Sequence, residues 1–371
     1  MDLEQTRTGT HEKLIDRLSD LEEGRDIKSL SSFAKAYLGM YLDLDKKLTP
    51  EQRVCLLADE EVLASVWTGF DVVLMQHKLP DPAETGGIFA QNERIPIGYI
   101  ALAAMDRKIR NGSCQILDFN DDVIRSLICL HYTDQNEIEN PWIISLAQNR
   151  PDLFAATLID YWQAIHEQGC SRFPGFRQVM HDPDYYPVLP PLLIPALTMF
   201  PHLDKKTFQH LLLTAFREAS VLTNERLLAL CSDSLEKEAE ISVANYACWL
   251  CAAFLLDAEK YDRQLFDYMG RTREKALPVL NFLVSVIDQD TSNNLHITAM
   301  MMARLLHMIA PKFHPVKDRF GCLDENVEKV IWLFRWLGHQ DYSVSQAVDY
   351  LRSVRVMRVY ADYFGLLEQT S

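Results

Sequence analysis

The sequence predicts an all-α protein, an irregular α-solenoid of HEAT-like stacked helix pairs. Two observations predict it. Apolar residues recur three and four positions apart along almost the whole chain, which is the spacing of one helix face. The segments marked this way are many, similar in length and mostly joined by short turns. Helix pairs that cannot bury their apolar faces alone must stack on their neighbours. No fixed period survives counting, and the tetratricopeptide and ankyrin signatures are absent. An irregular helical bundle is the alternative arrangement.

The elements follow in order. Leu30, Phe33, Ala34, Tyr37, Leu38, Tyr41 and Leu42 mark the first helix face. Thr49-Pro50-Glu51-Gln52 supplies an N-cap, a proline at the first helical position and a capping-box glutamine. A longer helix covers Asp59 to Gln76, with Val62, Leu63, Val66, Trp67, Phe70 and Leu74 on its apolar side. From His77 to Pro96 the pattern breaks at Pro80, Pro82, Gly86, Gly87 and Pro96, and the expectation is a long connection. Helix resumes over Ile97–Lys108, Ser113–Phe119 reads as extended, and Asn120 caps a helix over Asp121–His131. Asn140-Pro141 and Arg150-Pro151 each start a further helix. Leu153, Phe154, Thr157, Leu158, Tyr161, Trp162 and Ile165 form the face of the second, and Gly169 closes it.

A second punctuated segment, 171–191, holds six prolines and glycines at Pro174, Gly175, Pro183, Pro187, Pro190 and Pro191. It divides the chain into an N-terminal helical region, 1–170, and a C-terminal helical-repeat region, 192–371. The latter reads as helices over Leu192–Met199, Lys205–Ala219, Thr223–Ser232, Val243–Leu256, Ala258–Met269, Arg273–Ile287, Asn294–Ala310, Asp324–Leu337 and Ser343–Phe364.

Composition bounds the function. Of the 371 residues, 48% are hydrophobic and 24% charged, which is enough apolar material for a sizeable core. A net charge of -15 repels phosphate backbones and anionic membranes, so general nucleic-acid binding is disfavoured. A protein partner is expected because a curved stack of helix pairs offers a long groove. The eight cysteines mostly lie in apolar runs, as free thiols do in a reducing compartment. Met1–Thr10 is polar and lacks the apolar core of a signal peptide. No uncharged run reaches a membrane span. The expected location is cytoplasmic; the oligomeric state is open.

The segment Leu227–Phe282 carries a further pattern. A helix ends in the charged stretch up to Glu240, and Val243-Ala244-Asn245-Tyr246 leads to Trp249-Leu250. Ala253 to Tyr261 and Leu265 to Tyr268 follow. This resembles the C-terminal helical-repeat region of bacterial NACHT/STAND-type NTPases. The segments Arg150–Trp162 and Leu193–Pro201 fit the same pattern upstream. The resemblance implies a ligand- or partner-sensing module. The P-loop GxxxxGK[ST] of that family's motor domain is absent, so the resemblance brings no catalytic residue with it.

Chemical motifs are few. Cys248 and Cys251 lack a second ligand pair and sit within an apolar helical run, so they read as core residues. No HExxH, GxSxG or GxGxxG occurs, and neither His202/His210 nor His307/His314 has an obvious carboxylate third ligand. No metal or other cofactor is implied. The candidate interaction surface is Tyr185 and Tyr186, in the aspartate-rich turn Asp182–Tyr186, with Arg352, Arg355 and Arg358 along one face of the last helix. The expected function is a non-catalytic protein-binding or scaffold module. Two alternatives remain: an enzyme with a dispersed site near loops 77–96 and 171–191, and a nucleic-acid-associated scaffold using the Arg352–Arg358 face.

Overall fold

The computed structural model describes residues 12–41, 47–133, 141–200, 203–217, 224–237, 241–270, 272–288, 298–315, 323–338, 344–353 and 360. These residues form nineteen α-helices with short 3-10 turns, and no strand appears among them. The chain falls into two compact units, 1–196 and 197–371.

The first unit holds α1 (Leu18–Glu22), α2 (Ile27–Tyr37), α3 (Pro50–Cys55), α4 (Glu60–Gln76), α5 (Pro82–Ala90), α6 (Pro96–Arg110), α7 (Asp121–Thr133), α8 (Pro141–Asn149), α9 (Pro151–Glu167) and α10 (Phe176–His181). Most starts are written in the sequence. Thr49 and Gln52 form the expected capping box, and Asn120 accepts from the Val123 amide at 3.0 Å. Helix α6 is the centre of this unit. Every residue from Gly98 to Asp106 is buried, so it has no solvent face over that span. Helices α2, α4 and α7 pack around it, α1 lies on α4, and α5 lies on both α7 and α9.

Three expectations change here. The 77–96 connection contains α5, started by an Asp81/Glu84 capping box with Pro82 at the first helical position. Ser113–Phe119 forms a 3-10 turn at Ile116–Asp118 instead of a strand. The proline-rich segment 171–191 does not stand between two bodies but packs within the first unit. The Trp162 indole donates to the Pro174 carbonyl at 2.9 Å, and α8 packs on the 3-10 turn Pro183–Val188. Gly175, at φ +74°, lies so close to Tyr132 that a Cβ there would fall 2.5 Å from the ring.

The division itself falls within α11 (Leu189–Met199), which has Pro195 in its interior. The second unit continues with α12 (Lys205–Arg217), α13 (Asn224–Leu235), α14 (Val243–Leu256), α15 (Ala258–Met269), α16 (Arg273–Asp288), α17 (Ala299–Ile309), α18 (Glu325–Gly338) and α19 (Val344–Ser353). Helix α14 takes the central place. Asn245 to Leu255 are all buried, and α12, α13, α15 and α16 surround it. Beyond it α16 packs on α18, and α17 packs on both α18 and α19. Cys248 and Cys251 lie inside this core, as their apolar context predicts.

Candidate functional site

The last turn of α4, the following turn and the ends of α7 and α9 enclose a cleft of about 890 Å³ in the first unit. One wall is Met75 to Leu79, where His77 ends α4 and turns the backbone extended. The start of α5 forms its edge. The opposite walls are the first turns of α7, with Asp122 and Arg125, and the last turns of α9, with Asp160, Gln163 and Glu167.

Packing fixes these walls. Gly86 sets the approach of α5 to α9: a Cβ there would stand 2.6 Å from the Tyr161 carbonyl oxygen and 2.8 Å from the Ala164 Cβ. An ion pair between Arg125 and Asp160 ties α7 to α9. Lys78 reaches Glu84 at 3.6 Å, and Gln163 donates to Glu167 at 2.9 Å.

Two shallower grooves adjoin this cleft. The first, about 350 Å³, shares Met75 and Gln76 and adds Trp67, Asp71 and Arg107. There the Arg107 guanidinium stacks 4.7 Å above the Trp67 ring, and Phe70 meets the same ring edge-on at 5.5 Å. The second, about 610 Å³, shares Lys78, Leu79 and Ala83 and runs past Gly87 and Ile88 to Ile97. Met75 stands between the cleft and the first groove at 61% exposure, unusually high for so apolar a side chain. The cleft lining carries four carboxylates (Asp81, Asp122, Asp160, Glu167) against two permanent cations (Lys78, Arg125). It is therefore acidic around an apolar ridge.

The strongly shifted titrations lie in the core. Burial holds His131 down to about 4, between Tyr132 and Trp142. Burial raises Cys248 to about 11 and pushes Cys129 and Cys251 well above the usual thiol range. Among the described residues no three His, Cys, Asp or Glu side chains converge on a point.

Of the sequence-predicted surface, Tyr185, Tyr186 and Arg352 lie among the described residues. Tyr185 is wholly buried: its ring packs 5.9 Å from Phe154, and its hydroxyl accepts from Gln178 at 3.1 Å. It is a core residue, and the reading of it as exposed aromatic surface is corrected. Tyr186, half-buried, lies beside it on the same 3-10 turn. Arg352 lies on α19, while Arg355 and Arg358 fall outside the described residues. Of the two loops proposed for a dispersed enzyme site, 77–96 contributes to the cleft and 171–191 does not. The residues that sequence reading missed are Met75, Asp122, Arg125 and Asp160. Each sits on a helix that was foreseen, but their convergence depends on how those helices pack. No family model, curated protein or solved structure matches the chain.

Proposed function

We propose that the protein is a binding module that takes an extended segment of a partner protein into the cleft and grooves around Met75. One observation carries this reading: an exposed methionine stands between adjoining open grooves, with a surplus of carboxylates on one side. Methionine adapts to irregular apolar partners, and tryptophan and arginine are the commonest anchors of interfaces. The Trp67–Arg107 stack supplies such an anchor beside Met75. The complementary occupant carries a lysine or arginine next to a large apolar side chain. The cation would meet Asp122 and Glu167, and the apolar side chain would cover Met75.

The second unit fits the same reading as a stack of helix pairs. Its contacts run mostly between near neighbours in the chain, from α13–α14 through α15–α16 to α17–α19, which is what a HEAT-like array requires. The segment resembling the NACHT/STAND repeat region spans α13 to α16, and a partner-sensing role belongs to this proposal.

An array of short random peptides probed with the labelled chain tests the reading. Bound peptides are expected to be enriched in Lys or Arg beside Leu, Ile, Phe or Met. Met75→Asp is expected to weaken them by about tenfold or more, as interface anchors do, and Asp122→Lys to shift selection away from basic residues. An array without reproducible binders, or binders indifferent to both substitutions, would refute it.

A further inference from the structure

Five polar side chains from three helices meet in the first unit: Tyr37 on α2, Glu51 and Arg53 on α3, and Asp106 and Arg110 on α6. Asp106 is only 3% exposed, and it is well satisfied. It accepts from the Tyr37 hydroxyl at 2.9 Å and from Arg110 Nε at 2.6 Å. A hydroxyl has one proton to donate, so Glu51 Oε1, 3.4 Å from the same oxygen, competes for it at longer range.

Arg53 has no such partner. Its Nε is sealed from solvent without an acceptor, and the guanidinium makes no ion pair or hydrogen bond among the described residues. The neighbouring backbone is shaped to admit it: at Gly39 a Cβ would run into Arg53 Nη1. Burial disfavours its charge, and the like charge of Arg110 adds to that. Arg110 is engaged through Nε alone, which leaves its two Nη groups without an acceptor among the described residues.

The repulsion between the two guanidinium groups is offset by the Asp106 and Glu51 carboxylates, but donors on both arginines have no acceptor among the described residues. A buried donor without a partner calls for an explanation, often an ion or ligand. The planar fork of arginine matches the paired oxygens of phosphate and carboxylate groups. We infer that Arg53 and Arg110 form a binding site for the oxyanion group of a small ligand, a phosphate or a carboxylate, seated between the two guanidinium groups. Asp106 and Tyr37 position Arg110 for this task, and Gly39 makes room for Arg53. Glu51 is the carboxylate that the ligand must displace from the local field.

Isothermal titration of the full chain tests this, with inorganic phosphate and citrate as separate probes at constant ionic strength set by chloride. The wild-type chain is expected to bind at least one probe saturably. Arg53→Met is expected to weaken that binding by about tenfold or more, and Arg53→Lys, which keeps charge but loses the fork, by a smaller factor. A preference for phosphate or for citrate identifies the source of the oxyanion. Far-ultraviolet circular dichroism establishes that each variant is folded, and Arg53→Lys serves if Arg53→Met is not. No saturable binding by the wild type, or equal binding by a folded Arg53 variant, would overturn the inference.

Discussion

Two adjacent glycines in α5 predict opposite responses to the same substitution. Gly86 faces α9, and a methyl group there would lie 2.6 Å from the Tyr161 carbonyl oxygen and 2.8 Å from the Ala164 Cβ. Ordinary contacts of this kind start near 3.4 Å, so α5 and α9 must separate by most of an ångström or the backbone must bend. Forced insertion of a methyl into a packed interface costs about 1–3 kcal/mol. Alanine in place of helical glycine returns about 1 kcal/mol through lower backbone entropy in the unfolded chain. Gly86→Ala is therefore expected to destabilise by up to about 2 kcal/mol. Gly87, one position on, has nothing within 4 Å of the place a Cβ would occupy. Gly87→Ala keeps the helix gain without the clash and is expected to stabilise by about 0.5–1 kcal/mol. Urea unfolding followed by tryptophan fluorescence measures both, and the two midpoints should move in opposite directions. Equal shifts of the two variants would refute the placement of α5 against α9, and with it the cleft edge that α5 provides.

Further predictions test other parts of the structure. His131 is neutral when folded and its pKa falls from 6.5 to about 4 through burial. The unfolded chain therefore binds the proton more tightly, and stability present above about pH 6.5 is lost as pH falls toward 4, by about 3 kcal/mol in total. His131→Phe should flatten that part of the stability profile, and an unchanged slope would refute the assignment. Tyr37→Phe removes a donor from the buried Asp106 carboxylate and should cost about 1–3 kcal/mol in the same unfolding assay. Thiol labelling of the native chain should proceed at the partly exposed Cys55, Cys114 and Cys170 well before the buried Cys129, Cys231, Cys248 and Cys251. Early reaction of Cys251 would show that α14 is not the enclosed helix described.

Most helices were legible because their signals are local. The faces of α4 and α9, and the caps at Thr49 and Asn120, are set by residues within a turn of one another. Helix α5 was hidden because Gly86 and Gly87 count as breakers on any local scale. The reason for Gly86 is tertiary: its missing Cβ admits the α9 backbone, which lies far along the chain. The Asp81-Pro82-Ala83-Glu84 capping box was the local signal that outweighed it. Tyr185 misled for the opposite reason. Its neighbours Asp182, Pro183 and Asp184 suggest a solvated turn, yet the turn folds against α8 and α9 and buries the ring on Phe154. Arg53 reads as an ordinary charge on a short capped helix, and only the packing around Tyr37 and Asp106 reveals that its buried Nε has no acceptor.

The same contrast separates the two candidate sites by the physics each would use. In the cleft around Met75 the charges are open to solvent, and several already have partners, such as Arg125 with Asp160 and Lys78 with Glu84. Exposed pairs contribute little energy, so affinity there must come from apolar contact with Met75, while the surplus carboxylates choose and steer a basic partner. Steering by exposed charge is screened over about 8–10 Å at physiological salt, and the net charge of -15 extends the field toward any cation that approaches. Raising the salt should therefore slow association of a basic peptide far more than it hastens release. At Arg53 the donors are partly withdrawn from water, so screening is weaker and an oxyanion would be held by direct hydrogen bonds. Binding there should be less sensitive to salt than peptide association at the cleft, a difference that one titration series run for both probes can measure.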